Sequence, residues 1–270
     1  MKLAYSYDGL EWFALNGSKP ILIPDVENSS NRLRDPFIYR DIDGDFLIIG
    51  TQGWSYPSVY FFKSKDLIKF TDQKLIILSY FEPSINLSGQ RAWAPEIIYD
   101  VKSHSYLITY SDSINGIIYA VNTVDFESFS YPRVLFNPNY LVIDQTIFKN
   151  SEGYWLFYKD ERPGAKTIFF AFSNSLAFEN AKIFDQNFLH LQKNIEGPTV
   201  FTTIDGKYTY LYFDHYKQER LIGIELTKGE ENQFIPKNEL EIILPQSRMR
   251  HPSIIKITKK ELDALIRHYE

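Results

Sequence analysis

Five short stretches carry the residues most suited to chemistry: "RDPFIYR", "WAPEIIYD", "IDQTIF", "EGPTVF" and "RHPSIIKIT". They open on Asp35, on Ala94 with Glu96 close by, on Asp144, on Glu196 just ahead of Gly197, and on His251. Taken alone, each acid reads as a turn or strand-end residue satisfied by backbone N–H groups. Taken together they sit at equivalent places of one motif. Carboxylates gathered in one volume repel and raise each other's pKa, so such a gathering calls for a bound cation or for acid–base work.

What gathers them is a repeat. "DPFIYRDIDGDFLIIGT", "APEIIYDVKSHSYLITYSD", "DQTIFKNSEGYWLFYKDE", "GPTVFTTIDGKYTYLYFDHY" and "HPSIIKIT" start 59, 50, 53 and 54 residues apart. Each of the first four reads as a strand, a short polar turn and a second strand rich in Tyr, Phe, Leu and Ile. Asp66, Asp125 and Ser175 each follow the start of their own copy by 31 residues, and a similar text, "SYDGLEW", stands near the N-terminus with no two-strand motif before it. Repeats of about 50 residues with several short strands describe propeller blades. The expectation is one all-β domain over residues 1–270, a five-bladed β-propeller closed by the N- and C-terminal segments. The first strand of every blade would then aim its opening residue into a shared central funnel. Two stacked sandwiches are the alternative, but they leave the constant offset unexplained. One helix is expected, in "KKELDALIRHYE" (259–270), with Thr258 as its N-cap.

Composition narrows the partners. The 270 residues carry a net charge of −5 with Lys and Arg scattered, which argues against a nucleic-acid partner. No cysteine is present, excluding disulfides and thiolate chemistry. No run approaches the length of a membrane span and the start shows no secretory leader, so a soluble cytoplasmic protein is expected. His104, His190 and His268 are isolated, and the glycosylation tripeptides at Asn28 and Asn86 are of a kind frequent by chance.

In their order, the five motifs resemble glycoside hydrolase family 43, five-bladed propeller enzymes that remove arabinofuranosyl or xylosyl units. The resemblance runs along essentially the whole chain, including "YSYDGLEWFALNG". It implies Asp35 as general base, Glu196 as general acid and Asp144 as the group that orients and tunes the acid. It also places His251 on the axis, where relatives often hold a water-coordinated calcium ion.

Independently of that family, inverting hydrolysis of a glycoside needs an acid and a base far enough apart to admit a water, roughly 6.5 to 9.5 Å. Asp144 in a partly desolvated pocket would help Glu196 keep its proton, and Arg34, Arg91 or Arg250 would hold Asp144 or Asp35 ionised. Trp93 and Trp54 are expected to stack on sugar, whereas Trp12 and Trp155 read as core. "YKDE" (158–161) and "FDHY" (213–216) end second strands, so Asp214 joins Arg250 as a candidate substrate contact. An oligosaccharide substrate is expected. Two rivals stay open: a propeller that binds calcium and sugar without turnover, and a fructoside-cleaving relative, which "RDPF" and "EGP" in a cysteine-free chain disfavour.

Overall fold

Near the N-terminus, Ala4–Tyr5 (β1) and Phe13–Ala14 (β2) pair over two residues. Beyond them the two-strand motif folds as the sequence suggests and then extends. The computed structural model describes residues 1–78, 91–184, 189, 193–229, 234–245 and 249–270; Asn86 and His190 lie outside them. Each of the first four copies supplies an antiparallel sheet of four strands in chain order. Blade one is Leu33–Arg40 (β3), Phe46–Gln52 (β4), Ser58–Ser64 (β5) and Phe70–Ile77 (β6). Blade two is Ala92–Asp100 (β7), Ser105–Asp112 (β8), Ile117–Thr123 (β9) and Arg133–Phe136 (β10). Blade three is Val142–Lys149 (β11), Tyr154–Asp160 (β12), Thr167–Ser173 (β13) and Lys182–Phe184 (β14). Blade four is Ile195–Thr202 (β15), Thr209–His215 (β16), Arg220–Lys228 (β17) and Phe234–Glu239 (β18).

The turns follow from their residues. "DIDGD" closes as a tight turn in which Asp41 and Asp45 pair through their main chains and Gly44 takes a φ of 88°. The residues at the constant offset make the turns between third and fourth strands. Asp66 accepts from the amides of Ile68 and Lys69, and Asp125 from those of Glu127 and Ser128. Asp8 does the same for Leu10 and Glu11, so the turn between β1 and β2 is built like those of the blades.

Second strands β4, β8 and β12 are buried along their whole length, which explains their unbroken apolar and aromatic runs. Adjacent blades pack face to face. Leu47, Ile49 and Phe61 of blade one meet Ile97, Ile108 and Val121 of blade two, and Trp155 and Phe157 of blade three meet Leu211 and Phe213 of blade four. Trp155 is core, as read from the sequence; Trp12 is half-buried and packs on blade four, its indole donating to the Gly9 carbonyl.

Among the described residues the four-stranded sheets number four, not five. The fifth copy, "HPSIIKIT", forms no strand. A strand needs a ladder partner, and the N-terminal segment directs its main chain elsewhere. Leu15 bonds back to Leu3, Ile21 and Leu22 to Met1, and Leu10 and Trp12 exchange bonds with Ile243. The copy instead lies extended between blades one and four: Ser253 Oγ accepts from the Ile38 amide, and Thr199 donates to the Pro252 carbonyl. Apolar residues from both termini, Leu15, Leu22, Ile255, Ile257 and Leu265, cover the face of blade one opposite blade two.

The expected helix spans Lys259–Tyr269 (α1). Thr258 and Glu261 form a reciprocal capping box, and Glu261 also takes a bond from Arg40 Nη1 at 2.8 Å, tying the helix to blade one. Among the described residues no helix is long and apolar enough to cross a membrane.

Candidate active site

Every copy of the motif opens with the same backbone irregularity. Pairing slips between Arg34 and Phe37, Trp93 and Glu96, Ile143 and Thr146, and Glu196 and Thr199. At each slip one residue takes a left-handed conformation: Asp35 (φ 45°), Ala94 (45°), Asp144 (52°) and Gly197 (59°). His251 (46°) repeats it without a partner strand. Such a bulge re-aims a side chain at the end of a strand. The residue after it is Pro36, Pro95, Gln145, Pro198 or Pro252, and proline leaves no ladder N–H unpaired there. A non-glycine residue held this way costs of order 1–3 kcal/mol, a cost met repeatedly at functional sites.

A second repeated device fixes the bulges in place. Thr51 Oγ1 accepts from the Ala94 amide at 2.8 Å, Ser111 Oγ from the Asp144 amide at 2.9 Å, and Asp214 Oδ2 from the His251 amide at 2.9 Å. Each acceptor ends the second strand of one blade and grips the opening of the next motif. In blade three that position is Lys159, paired in register with Ile143. An ammonium cannot accept. The Gly197 amide turns instead to Asp144 Oδ2 at 3.1 Å.

These links bring the predicted residues together. Asp35 Oδ1 lies 3.5 Å from His251 Nδ1 and 3.8 Å from Arg34 Nη2. Glu196 is held from two sides, by Lys159 Nζ at 2.8 Å on Oε2 and by Arg250 Nη2 on Oε1. Arg250 Nε reaches Asp214 Oδ2 at 3.2 Å. Asp214, expected to contact substrate, is only 1 % exposed and holds Arg250 and the His251 main chain from beneath. Of the three arginines considered, Arg34 stands beside Asp35, Arg250 serves Glu196 and Asp214, and neither hydrogen-bonds Asp144. Arg91 donates through its main chain to Asp112 at 3.4 Å.

Glu96 follows the opening of its own copy. Two residues further along β7, it accepts from the Ile147 amide at 3.2 Å and borders a cavity of about 80 Å³ with Phe37, Tyr39, Thr109 and Ile147. Burial pushes its carboxyl up to about 8.

The electrostatics follow from crowding in a dry place. Burial, reinforced by the charges of Glu196 and Asp35, holds the Asp144 carboxyl above the ordinary aspartate range against the pull of His251 and Lys159. Burial likewise lifts Asp214 to about 6 in spite of His251 and Arg250. For His251 burial acts downward, but Asp35, Asp144, Asp214 and Glu196 outweigh it and favour the imidazolium. A ring whose Nδ1 faces Asp35, in surroundings that favour the imidazolium, does not suit direct ligation of calcium, a hard cation served by oxygen ligands. Among the described residues no group of three His, Asp or Glu side chains is arranged to hold a metal ion.

Trp54 and Trp93 form the rim beside Asp35. Trp93 Nε1 donates to the Trp54 carbonyl at 3.1 Å, and their rings meet edge to face at 5.7 Å. The Arg34 guanidinium lies 3.5 Å over the Trp54 ring, whose residue stays 50 % exposed. An aromatic face beside a carboxylate suits a sugar, whose C–H face stacks while its hydroxyls find polar groups.

Lys159 is the residue that motif reading missed. It lay inside "YKDE", and aligning the ends of the second strands, "TQ", "SD", "KD" and "DH", shows it as the one cation at that position.

Comparison with known proteins agrees with this architecture. A family 43-related model, described as a probable glycosyl hydrolase domain, matches residues 1–263. An α-L-arabinofuranosidase of Bifidobacterium longum subsp. longum is 24% identical over 200 residues, 62% of this chain and 18% of that protein, so the chain matches under a fifth of its relative's length. The crystal structure of an α-L-arabinofuranosidase from Lactobacillus brevis superposes with a TM-score of 0.59 at 16% identity, covering 81% of this chain and 74% of the other. The structure of an exo-β-1,3-galactanase from Phanerochaete chrysosporium with galactose superposes at 0.58 and 12% identity, covering 80% and 53%. At these identities the structures speak for the fold, and the match along nearly the whole chain speaks for the family: the chain belongs to the family 43-related glycosyl hydrolases.

Proposed function

We propose that this protein is an inverting glycoside hydrolase that releases arabinofuranosyl or xylosyl units from the non-reducing ends of oligosaccharides. Asp35 acts as general base, removing a proton from water as that water attacks the anomeric carbon. Glu196 acts as general acid, protonating the departing oxygen, and Asp144 orients the Glu196 strand through the Gly197 amide. One observation carries the reading: Asp35, Asp144 and Glu196 come from β3, β11 and β15 and are joined through His251, Gly197 and Arg250 into one web of contacts. Two carboxyl groups held by separate strands around one volume are what glycoside hydrolysis requires, and inversion further requires that they stand far enough apart, roughly 6.5–9.5 Å, to admit a water. The relatives named above widen the sugars to be tried to β-galactosides.

The test is a panel of nitrophenyl arabinofuranosides, xylosides and galactosides with the native protein and Glu196→Gln. Turnover by the native protein that drops about 10²–10⁴-fold in the variant supports the acid assignment. Sugar binding with no turnover of any member would make the protein a binding propeller. Proton NMR of the first-formed anomer tests inversion, and retained configuration would remove Asp35 from the role of base.

A further inference from the structure

Lys159 breaks the pattern that the other blades keep. Where Thr51, Ser111 and Asp214 accept a main-chain N–H from the next motif, this position carries a cation, only 5 % exposed at its side chain. Its ammonium lies 2.8 Å from Glu196 Oε2 and 2.6 Å from Glu161 Oε1, and 4.7 Å over the Tyr216 ring. Glu161 is in turn paired with Lys166 through its other oxygen. Around Glu196 the charged groups are therefore Lys159 and, behind it, Glu161 and Lys166; Arg250 with Asp214 beneath it; and Asp144, His251 and Asp35 across the site.

We propose that Lys159 is a positioning residue that sets when Glu196 can carry its proton, by shifting between Glu196 and Glu161. The inference rests on Glu196 being the acid. A carboxylate met by Lys159 and Arg250 has its charge matched twice, and an opposite charge within a few ångströms favours the ionised form of such a group. Release of Lys159 toward Glu161 removes one of those cations while the ammonium keeps an anionic partner in a region where an unpaired charge would be costly. Glu196 then takes a proton from solvent. In the bond-breaking step that proton passes to the glycosidic oxygen, the electron pair of the C–O bond leaves with that oxygen, and water attacking the anomeric carbon gives its proton to Asp35. Glu196 is a carboxylate again, and Lys159 returns to it. Asp35 later loses its proton to solvent, so the sum is one glycoside and one water consumed for two hydroxyl products.

The test uses Lys159→Met, Lys159→Arg and Glu161→Gln in the full chain, with two readouts. The first is the pH dependence of kcat/KM. Removing the ammonium is expected to move the alkaline limb up by about one to three pH units. Glu161→Gln, which leaves Lys159 to Glu196 alone, should move it down, and Lys159→Arg should keep it near the native position. A uniform fall in rate with an unmoved limb in Lys159→Met and Glu161→Gln would overturn the proposal, since a merely structural lysine lowers activity without displacing the limb. The second readout needs no turnover: the Glu196 carboxyl carbon, labelled with carbon-13 and assigned by its loss in Glu196→Gln, is titrated in the native protein and in the variants. Displacement of this titration without turnover of any glycoside would uphold the Lys159 clamp and sink the hydrolase reading. An unmoved titration would sink the clamp, whatever the activity.

Discussion

The Gly197 amide donates to the Asp144 carboxylate at 3.1 Å, so the residue beside Glu196 in blade four is fastened to the bulge of blade three. Asp144 thus has two separable functions, an acceptor and a charge. Asp144→Asn keeps an oxygen acceptor and loses the charge, whereas Asp144→Ala loses both. The first is expected to unfold at close to the native urea concentration while kcat falls about 10²-fold or more. The second should lose a further 1–3 kcal/mol, roughly, because a buried N–H is left unpaired. Urea titrations and steady-state kinetics on both variants separate the two.

Gly197 is required twice over. Its φ is 59°, and a Cβ there would stand 2.9 Å from His251 Nδ1, the atom that faces Asp35. Gly197→Ala is expected to cost of order 1–3 kcal/mol and to push the imidazole off Asp35, lowering kcat as well as stability. Ala94 has the equivalent conformation in blade two, with a methyl group and no charge to place. Ala94→Gly should stay within about 1 kcal/mol of native, relief of strain offsetting the added chain entropy. Calorimetry on the pair checks the contrast in size.

Trp54 has one ring face under Arg34 and remains half exposed. Trp54→Ala should raise KM about tenfold, equivalent to about 1.4 kcal/mol, with kcat little changed, because stacking on a bound sugar acts on ground and transition state alike. A fall in kcat at constant KM would remove Trp54 from the binding platform.

Glu96 makes stability depend on pH. Burial lifts its carboxyl from 4.5 to about 8, so the folded protein keeps a proton that the unfolded chain has lost across that window. Stability from this group is full below about pH 4.5 and falls as pH rises toward about 8. Glu96→Gln cannot ionise, and its stability relative to native should rise with pH over the same range by a few kcal/mol, roughly. Urea unfolding at pH 5, 6.5 and 8 gives the slope; parallel curves for both proteins would show that Glu96 is ionised in the fold.

Asp35, Asp144, Glu196 and His251 were legible in the sequence because a repeat copies backbone geometry as well as residues: the same bulge recurs wherever the motif does, so equivalent positions face equivalent directions. Trp54, Trp93 and the capped helix were legible for similar local reasons. Lys159 was hidden because its importance lies in departing from a pattern of acceptors, and that pattern becomes visible only when Thr51, Ser111 and Asp214 are seen gripping the next blade. The environment of Glu96 was not legible either, since a step of two residues past the motif opening moves a strand side chain about 7 Å along the strand.

By itself the sequence determined the all-β repeat, the spacing of its turns, the C-terminal helix and the acids at the motif openings, because these depend on local alternation, turn residues and capping. Only the tertiary structure decided that four copies become sheets and the fifth does not, since a strand exists through its ladder partner and the N-terminal segment bonds to itself and to Ile243 instead. It alone also decided which cation meets which carboxylate. Arg250, Lys159 and His251 reach Glu196 and Asp35 across gaps of tens to hundreds of residues, and no spacing within the chain encodes those distances.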